Sequence, residues 1–173
     1  MQQPGFLLLA VLAAALLAPR PTLAQTGADH ASPAPVYSVP IYSVPVYDPA
    51  RDPAADLAAT IALAEREGRR ILLEVGGDWC TWCHALDRYV HRNEVVAGAL
   101  AADFVVMKVN YSEENRNEAF LASYPKIRGY PHVFVLEHDG TLLHSQNTGA
   151  LEKGGAYDDE AFLAFLKRWA PEG

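Results

Sequence analysis

Residues 71–84 constrain the chain more than any other stretch. Ile71-Leu72-Leu73-Glu74-Val75 is apolar and β-branched enough for a buried strand. Gly76-Gly77-Asp78 interrupts it, and Trp79-Cys80-Thr81-Trp82-Cys83-His84 opens a stretch in which Leu86, Tyr89 and Val90 keep helical spacing. A strand, a turn and a helix in that order put Cys80 at a helix N-terminus. The unpaired N–H groups and the positive dipole end found there stabilise an anion. The thiolate is the form of cysteine that attacks a disulfide, and its ordinary pKa of ~8.5 leaves it scarce without such help. Cys80 is therefore read as the nucleophile. Cys83, almost one turn further on, is read as the resolving thiol.

These two are the only cysteines of the 173-residue chain. A secreted protein that uses cysteine structurally carries more of them, spread along the sequence. A bridge closing so short a loop stabilises little by loop closure. The pair reads as chemical rather than architectural.

Glu74 is an ionisable residue inside the apolar run, six positions before Cys80. Turned under the helix, it would be a buried carboxylate with a raised pKa and a base for the Cys83 proton; turned outward, it is a strand-end carboxylate in water. Asp87, four positions after Cys83, is a second candidate base or else an exposed helix carboxylate. Cys80-Thr81-Trp82-Cys83-His84 also has the form of a covalent haem-attachment signature. Met107, the obvious distal ligand, sits in a strand pattern, and the preceding strand with Trp79 and Trp82 suits an active-site turn better. A metal site on Cys80, Cys83 and His84 would need a fourth ligand, which the spacing of His132, His138 and His144 does not supply.

The N-terminus reads as an export signal. Phe6 to Ala18 is almost entirely Leu, Ala and Val, and Thr22-Leu23-Ala24 suits signal peptidase, so cleavage is expected after residue 24. The run is shorter than the ~20 residues of a spanning helix. Cleavage would remove Arg20 and no acidic residue, leaving a chain more acidic than the full-length charge of −7. A nucleic-acid partner is excluded on that balance and on the lack of a basic patch. Residues 25–52 are expected to be an extended linker. Within them Pro35, Pro40 and Pro45 recur every fifth residue, each followed by an aliphatic residue and a tyrosine. That repeat forbids helix and central strand, and fits a spacer or an edge strand better than a docking segment.

The remainder, 53–173, is expected to be one α/β domain. Asp52-Pro53 starts a helix that Gly68 ends, and Phe104–Val109 is a second strand. A short helix is expected over 115–124. Val133–Leu136 and Thr141–His144 flank an Asp139-Gly140 turn, and Asp158–Trp169 is an amphipathic last helix.

In order and spacing, Trp79-Cys80-x-x-Cys83 after a buried strand, Ile127-Arg128-Gly129-Tyr130-Pro131, and Gly149-Ala150-Leu151-Glu152-Lys153-Gly154 resemble the thioredoxin family. Ile71–Val96 is most similar to the periplasmic C-terminal domain of the bacterial thiol:disulfide interchange reductases. The resemblance implies a thioredoxin-like fold with a central mixed sheet flanked by helices, and acid–base roles for Glu74 and Asp87. It implies a cis peptide at Pro131 facing the dithiol, and a partner-docking surface framed by Trp79, Thr81, Trp82, Tyr130 and Gly149. It departs from thioredoxin itself in the Thr81-Trp82 dipeptide, in Gly76-Gly77, and in His84 where lysine is frequent. These differences bear on the direction of electron flow.

The expected function is periplasmic, or otherwise exported, thiol–disulfide exchange that reduces partner disulfides. No cofactor is expected beyond the Cys80–Cys83 pair. The expected partners are disulfide-containing exported proteins and an electron donor such as a membrane thiol:disulfide reductase. Disulfide oxidation or isomerisation is the alternative direction. A non-catalytic metallochaperone or partner-binding module using the same groove is the alternative class.

Overall fold

The computed structural model describes residues 40–172; the expected signal segment 1–24 and residues 25–39 of the expected linker lie outside the described residues. The elements are β1 (Tyr42–Val44), α1 (Pro53–Glu67), β2 (Arg70–Gly76), α2 (Thr81–Arg92), α3 (Glu94–Asp103), β3 (Phe104–Asn110), α4 (Glu118–Leu121), β4 (His132–Leu136), β5 (Leu142–Asn147), a 3-10 turn (Thr148–Leu151), β6 (Glu152–Lys153), β7 (Ala156–Tyr157) and α5 (Asp159–Trp169). Five strands form one sheet in the order β1-β3-β2-β4-β5. β1, β3 and β2 run parallel, and β4 and β5 are antiparallel to their neighbours. This is an α/β fold, a mixed sheet with helices on both faces.

Side chains alternate across a strand, so each central strand feeds two cores. Ile71, Leu73 and Val75 of β2 join Val105, Met107 and Val109 of β3 on the side of α1, with Phe134 and Leu136 of β4. Leu72 and Val106 face the other way, against Leu86 and Val90 of α2, Leu100 of α3 and Phe162, Phe165 and Leu166 of α5. By the same alternation Glu74 and Lys108, register partners in the parallel pair, lie on the α2 face. Both are buried.

The caps of α1 match the sequence reading. The Asp52 carboxylate accepts from Ala54 N at 2.9 Å, and Gly68 adopts φ +65° to end α1. Asn93 separates α2 from α3 and accepts from Val96 N at 3.1 Å. The expected helix over 115–124 contracts to Glu118–Leu121. The asparagines before it are engaged elsewhere: Asn115 Nδ2 donates to Pro49 O and Asn117 Nδ2 to Asn110 O, each at 2.8 Å. The second hairpin strand runs three residues beyond His144, to Asn147, where it pairs with His132.

The folded unit also begins before residue 53. Tyr42–Val44, inside the expected linker 25–52, is an edge strand with Tyr42 opposite Val106 and Val44 opposite Met107. Pro40 and Pro45 bracket it, which is where an edge strand tolerates residues without an N–H donor. Ile41 O accepts from Val106 N at 2.8 Å, and the buried Arg69 guanidinium ties Pro40 O (3.1 Å) to Phe104 O (2.7 Å). Two valines test whether this segment belongs to the fold, since Val44 is 3% exposed and Val46 57%. Val44→Asp buries an unpaired carboxylate and should lower the urea midpoint strongly. Val46→Asp should change stability by less than about 0.5 kcal/mol.

Candidate active site

β2 ends at Gly76, and the chain turns so that Cys80 N donates to Gly77 O at 2.9 Å. Cys80 is the N-cap of α2, and its Sγ accepts from Cys83 N at 3.1 Å. The two sulfurs form a disulfide of 2.08 Å with Cα atoms 5.2 Å apart. Both residues are buried against Tyr47, with Trp82 and Tyr130 packed on them. His84 Nε2 donates to Asp78 O at 2.8 Å, so its ring clasps the turn.

Beneath the disulfide lies an acid–base cluster. Tyr47 Oη donates a short hydrogen bond to Glu74 Oε1. Glu74 is 4% exposed, and burial lifts its carboxyl to about 7 against the opposing pull of the Lys108 ammonium and the Tyr47 hydroxyl. Lys108 Nζ pairs with Asp87 Oδ1 at 2.6 Å and lies 4.9 Å from the Tyr47 ring centroid and 5.4 Å from that of Tyr42. Glu74 thus points inward. Asp87 is half-buried and spent on Lys108 rather than free in water.

Outside the disulfide lies an aromatic frame. The Tyr130–Pro131 peptide is cis. Thr148 Oγ1 donates to Pro131 O at 2.7 Å, which sets the 3-10 turn containing the exposed Gly149 beside it. Trp79 is 56% exposed, donates through Nε1 to Tyr111 O at 2.6 Å, and meets Tyr130 edge-on at 5.5 Å. Tyr111 and Tyr130 stack at 4.9 Å, and burial with the neighbouring Tyr111 pushes the Tyr130 phenol up to about 12. On the other flank Trp82 packs edge-on against Tyr157 at 5.7 Å. Thr81 is exposed at the first turn of α2. A cleft of about 450 Å³ opens between Trp79, Tyr111 and Arg116.

Cys80, Cys83, Trp82 and Tyr130 are therefore in one neighbourhood, with Trp79 and Pro131 attached through Tyr130 and Gly149 through Thr148. Glu74 and Asp87 join it from below. Sequence reasoning missed Tyr47, Lys108, Tyr111 and Tyr157. Lys108 carried the same signal as Glu74, a charge inside an apolar strand. Tyr47 carried none, lying in a repeat that resembles a spacer.

The family model described as thioredoxin-like matches residues 52–137. The thiol:disulfide interchange protein DsbD of Escherichia coli K12 is 26% identical over 110 residues, which are 64% of this chain and 18% of DsbD. The chain thus spans less than a fifth of that curated relative. A disulphide isomerase from Xylella fastidiosa Temecula1 is 28% identical with a TM-score of 0.61, over 72% of this chain and 95% of that one. The oxidised C-terminal domain of Neisseria meningitidis DsbD is 20% identical with a TM-score of 0.53, over 72% and 98% respectively; this is a likeness of fold.

Glu74 has a consequence for stability. Its folded pKa of about 7 exceeds the unfolded carboxyl value of ~4.3, so in that window the folded state holds more protons and loses stability as pH rises. His132, whose pKa is lowered chiefly by burial, acts in the opposite direction. Glu74→Gln removes only the first contribution. Urea unfolding of the oxidised protein should show the variant gaining on the wild type from about pH 5 to about pH 7, with a constant difference above that range.

Proposed function

We propose, since through residues 52–137 this chain belongs to the thioredoxin-like family of thiol–disulfide oxidoreductases, that it reduces disulfides of partner proteins outside the cytoplasm. The observation that carries the reading is the Cys80–Cys83 disulfide at the N-terminus of α2, above a buried carboxylate.

In the reduced protein the Cys80 thiolate is stabilised by the end of α2 and by the Cys83 N–H aimed at its sulfur. It attacks one sulfur of a partner disulfide. A Cys80–partner bond forms, the partner's S–S bond breaks, and its other sulfur leaves as a thiolate. Cys83 then gives up its proton toward Glu74 and attacks Cys80 Sγ. The Cys80–Cys83 disulfide forms and the second partner thiolate departs. The partner has gained two electrons, which a dithiol donor must restore to this protein. The aromatic frame of Trp79, Tyr111 and Tyr130 suits an extended partner segment lying along Tyr130. Thr81, Trp82 and Gly149 would border it, with Pro131 facing the dithiol. The reading of residues 1–24 as an export signal supports a place outside the cytoplasm, and a membrane thiol:disulfide reductase is the natural class of electron donor.

Reduction is favoured by the likeness to the interchange protein DsbD. A second direction, isomerisation, draws on the likeness to the Xylella disulphide isomerase. The equilibrium potential in a glutathione series separates them: a value near about −270 mV is expected for a reductant, and one near about −180 mV or above would reverse the assignment. Mechanistically, Cys80→Ser should abolish reduction of insulin disulfides. Cys83→Ser should accumulate a covalent mixed disulfide visible by mass. Undiminished turnover in Cys80→Ser would sink the mechanism.

A further inference from the structure

The proline-tyrosine segment before α1 delivers Tyr47 to the underside of the dithiol. Tyr47 is 5% exposed and packs directly on Cys80 and Cys83. Its hydroxyl donates to Glu74 Oε1. Its other neighbour is fixed by Gly76: a Cβ built there would lie 2.5 Å from Cys83 Sγ and 2.9 Å from Tyr47 Oη. Sulfur and hydroxyl thus flank one small space that exists because residue 76 has no side chain. We propose that Tyr47 is a positioning residue of the redox centre, holding Glu74 by its hydroxyl and carrying the proton between Cys83 Sγ and the Glu74 carboxylate. This rests on the thiol–disulfide exchange reading above.

The proton step balances without any further reagent. As Cys83 S–H passes its proton to Tyr47 Oη, the tyrosine passes its own to Glu74 Oε1. The thiol becomes a thiolate, the carboxylate becomes an acid, and the tyrosine is unchanged. The thiolate then attacks Cys80 Sγ as described. A tyrosine suits the task because burial and the Glu74 charge push its ionisation far above the working range, so the hydroxyl always has a proton to give. The other charged and titratable groups around Glu74 are Lys108 from β3, Asp87 and Cys83 from α2, Tyr42 from β1 and Tyr157 from β7; β4 contributes Val133, which is apolar. Of these, Lys108 stabilises the carboxylate and Asp87 opposes it. Among the described residues, Tyr47 is the one that hydrogen-bonds Glu74 itself.

The test follows two rates. Fully reduced full-length protein is mixed with oxidised glutathione, quenched in acid, and resolved by mass into dithiol, glutathione adduct and disulfide. The rise of the adduct reports Cys80, and its decay reports Cys83. In Tyr47→Phe the rise should stay within about twofold of wild type, while the decay slows by at least about tenfold, as expected for loss of a proton-transfer path. The pH midpoint of the decay should move up by about one unit, because the carboxylate has lost a hydrogen bond that favoured its charged form. In a Glu74→Gln background the same substitution should change neither the decay nor its midpoint. A slower decay with an unshifted midpoint, or an equal effect in the Glu74→Gln background, would mean that the ring merely packs, and overturns the proposal. So would wild-type decay in Tyr47→Phe. Failure of the adduct to form in wild-type protein is a different result, and removes the exchange reading itself.

Discussion

Glu74 sits in the second strand of a sheet covered on both faces, and a charge in such a place costs several kcal/mol unless partners are built around it. Much of the site can be understood as that compensation. Lys108 comes from the register-paired position on β3 and brings a positive charge. Asp87 comes from α2 and holds Lys108 in place at 2.6 Å. Tyr47 comes from the N-terminal segment and supplies the hydrogen bond. Even so, burial outweighs the Lys108 and Tyr47 contributions, and the carboxyl remains protonated up to about 7. A group balanced near neutrality can accept a proton and return it, which a fully stabilised carboxylate could not do at the same pH.

The two faces of the disulfide have opposite characters for a reason that lies in the strand. Gly76 ends β2 and Gly77 opens the turn after it, both without side chains. The space under Cys83 stays open to Tyr47, and the ring of Trp79 lies over Gly77, where a Cβ would come 2.5 Å from the Trp79 indole nitrogen. Inward, small residues leave room for proton movement among buried polar groups. Outward, Trp79 and Tyr130 present a rigid aromatic surface beside the cis Tyr130–Pro131 bond. Bulk at position 76 would force the sulfur or the tyrosine to move. Bulk at 77 would displace the tryptophan. The Gly-Gly pair therefore belongs to the site as much as the cysteines do.

The central elements were legible because their physics is local. Ile71–Val75 and Phe104–Val109 are continuous apolar runs, as strands covered on both faces must be, and Asp52-Pro53 with Gly68 marks the two ends of α1 by rules of capping alone. Cys80 at a helix start followed from the same local reading. The burial of Glu74 needed one further fact, the face on which α2 lies, and Leu72 and Glu74 share that face with Leu86. Tyr47 was not legible, because its partner is 27 positions away. The three repeat units are nearly the same in sequence; nothing within them says which tyrosine meets a carboxylate. Only the register of β1 against β3 decides it.

That register gives the N-terminal segment a role beyond covering an edge. Tyr42 and Tyr47, from successive repeat units, both bring their rings to Lys108. The first packs beside the cation and the second goes on to hydrogen-bond Glu74. Between them, Val44 anchors the strand in the α1-side core, while Pro40 and Pro45 limit how far it can pair. A segment built this way fixes one tyrosine hydroxyl with little backbone freedom. Had the same hydroxyl come from α2, it would have displaced the apolar packing on that face of the sheet. Coming along the sheet edge, it reaches the carboxylate without opening the core, so the raised proton affinity of Glu74 and its hydrogen bond to Tyr47 can coexist.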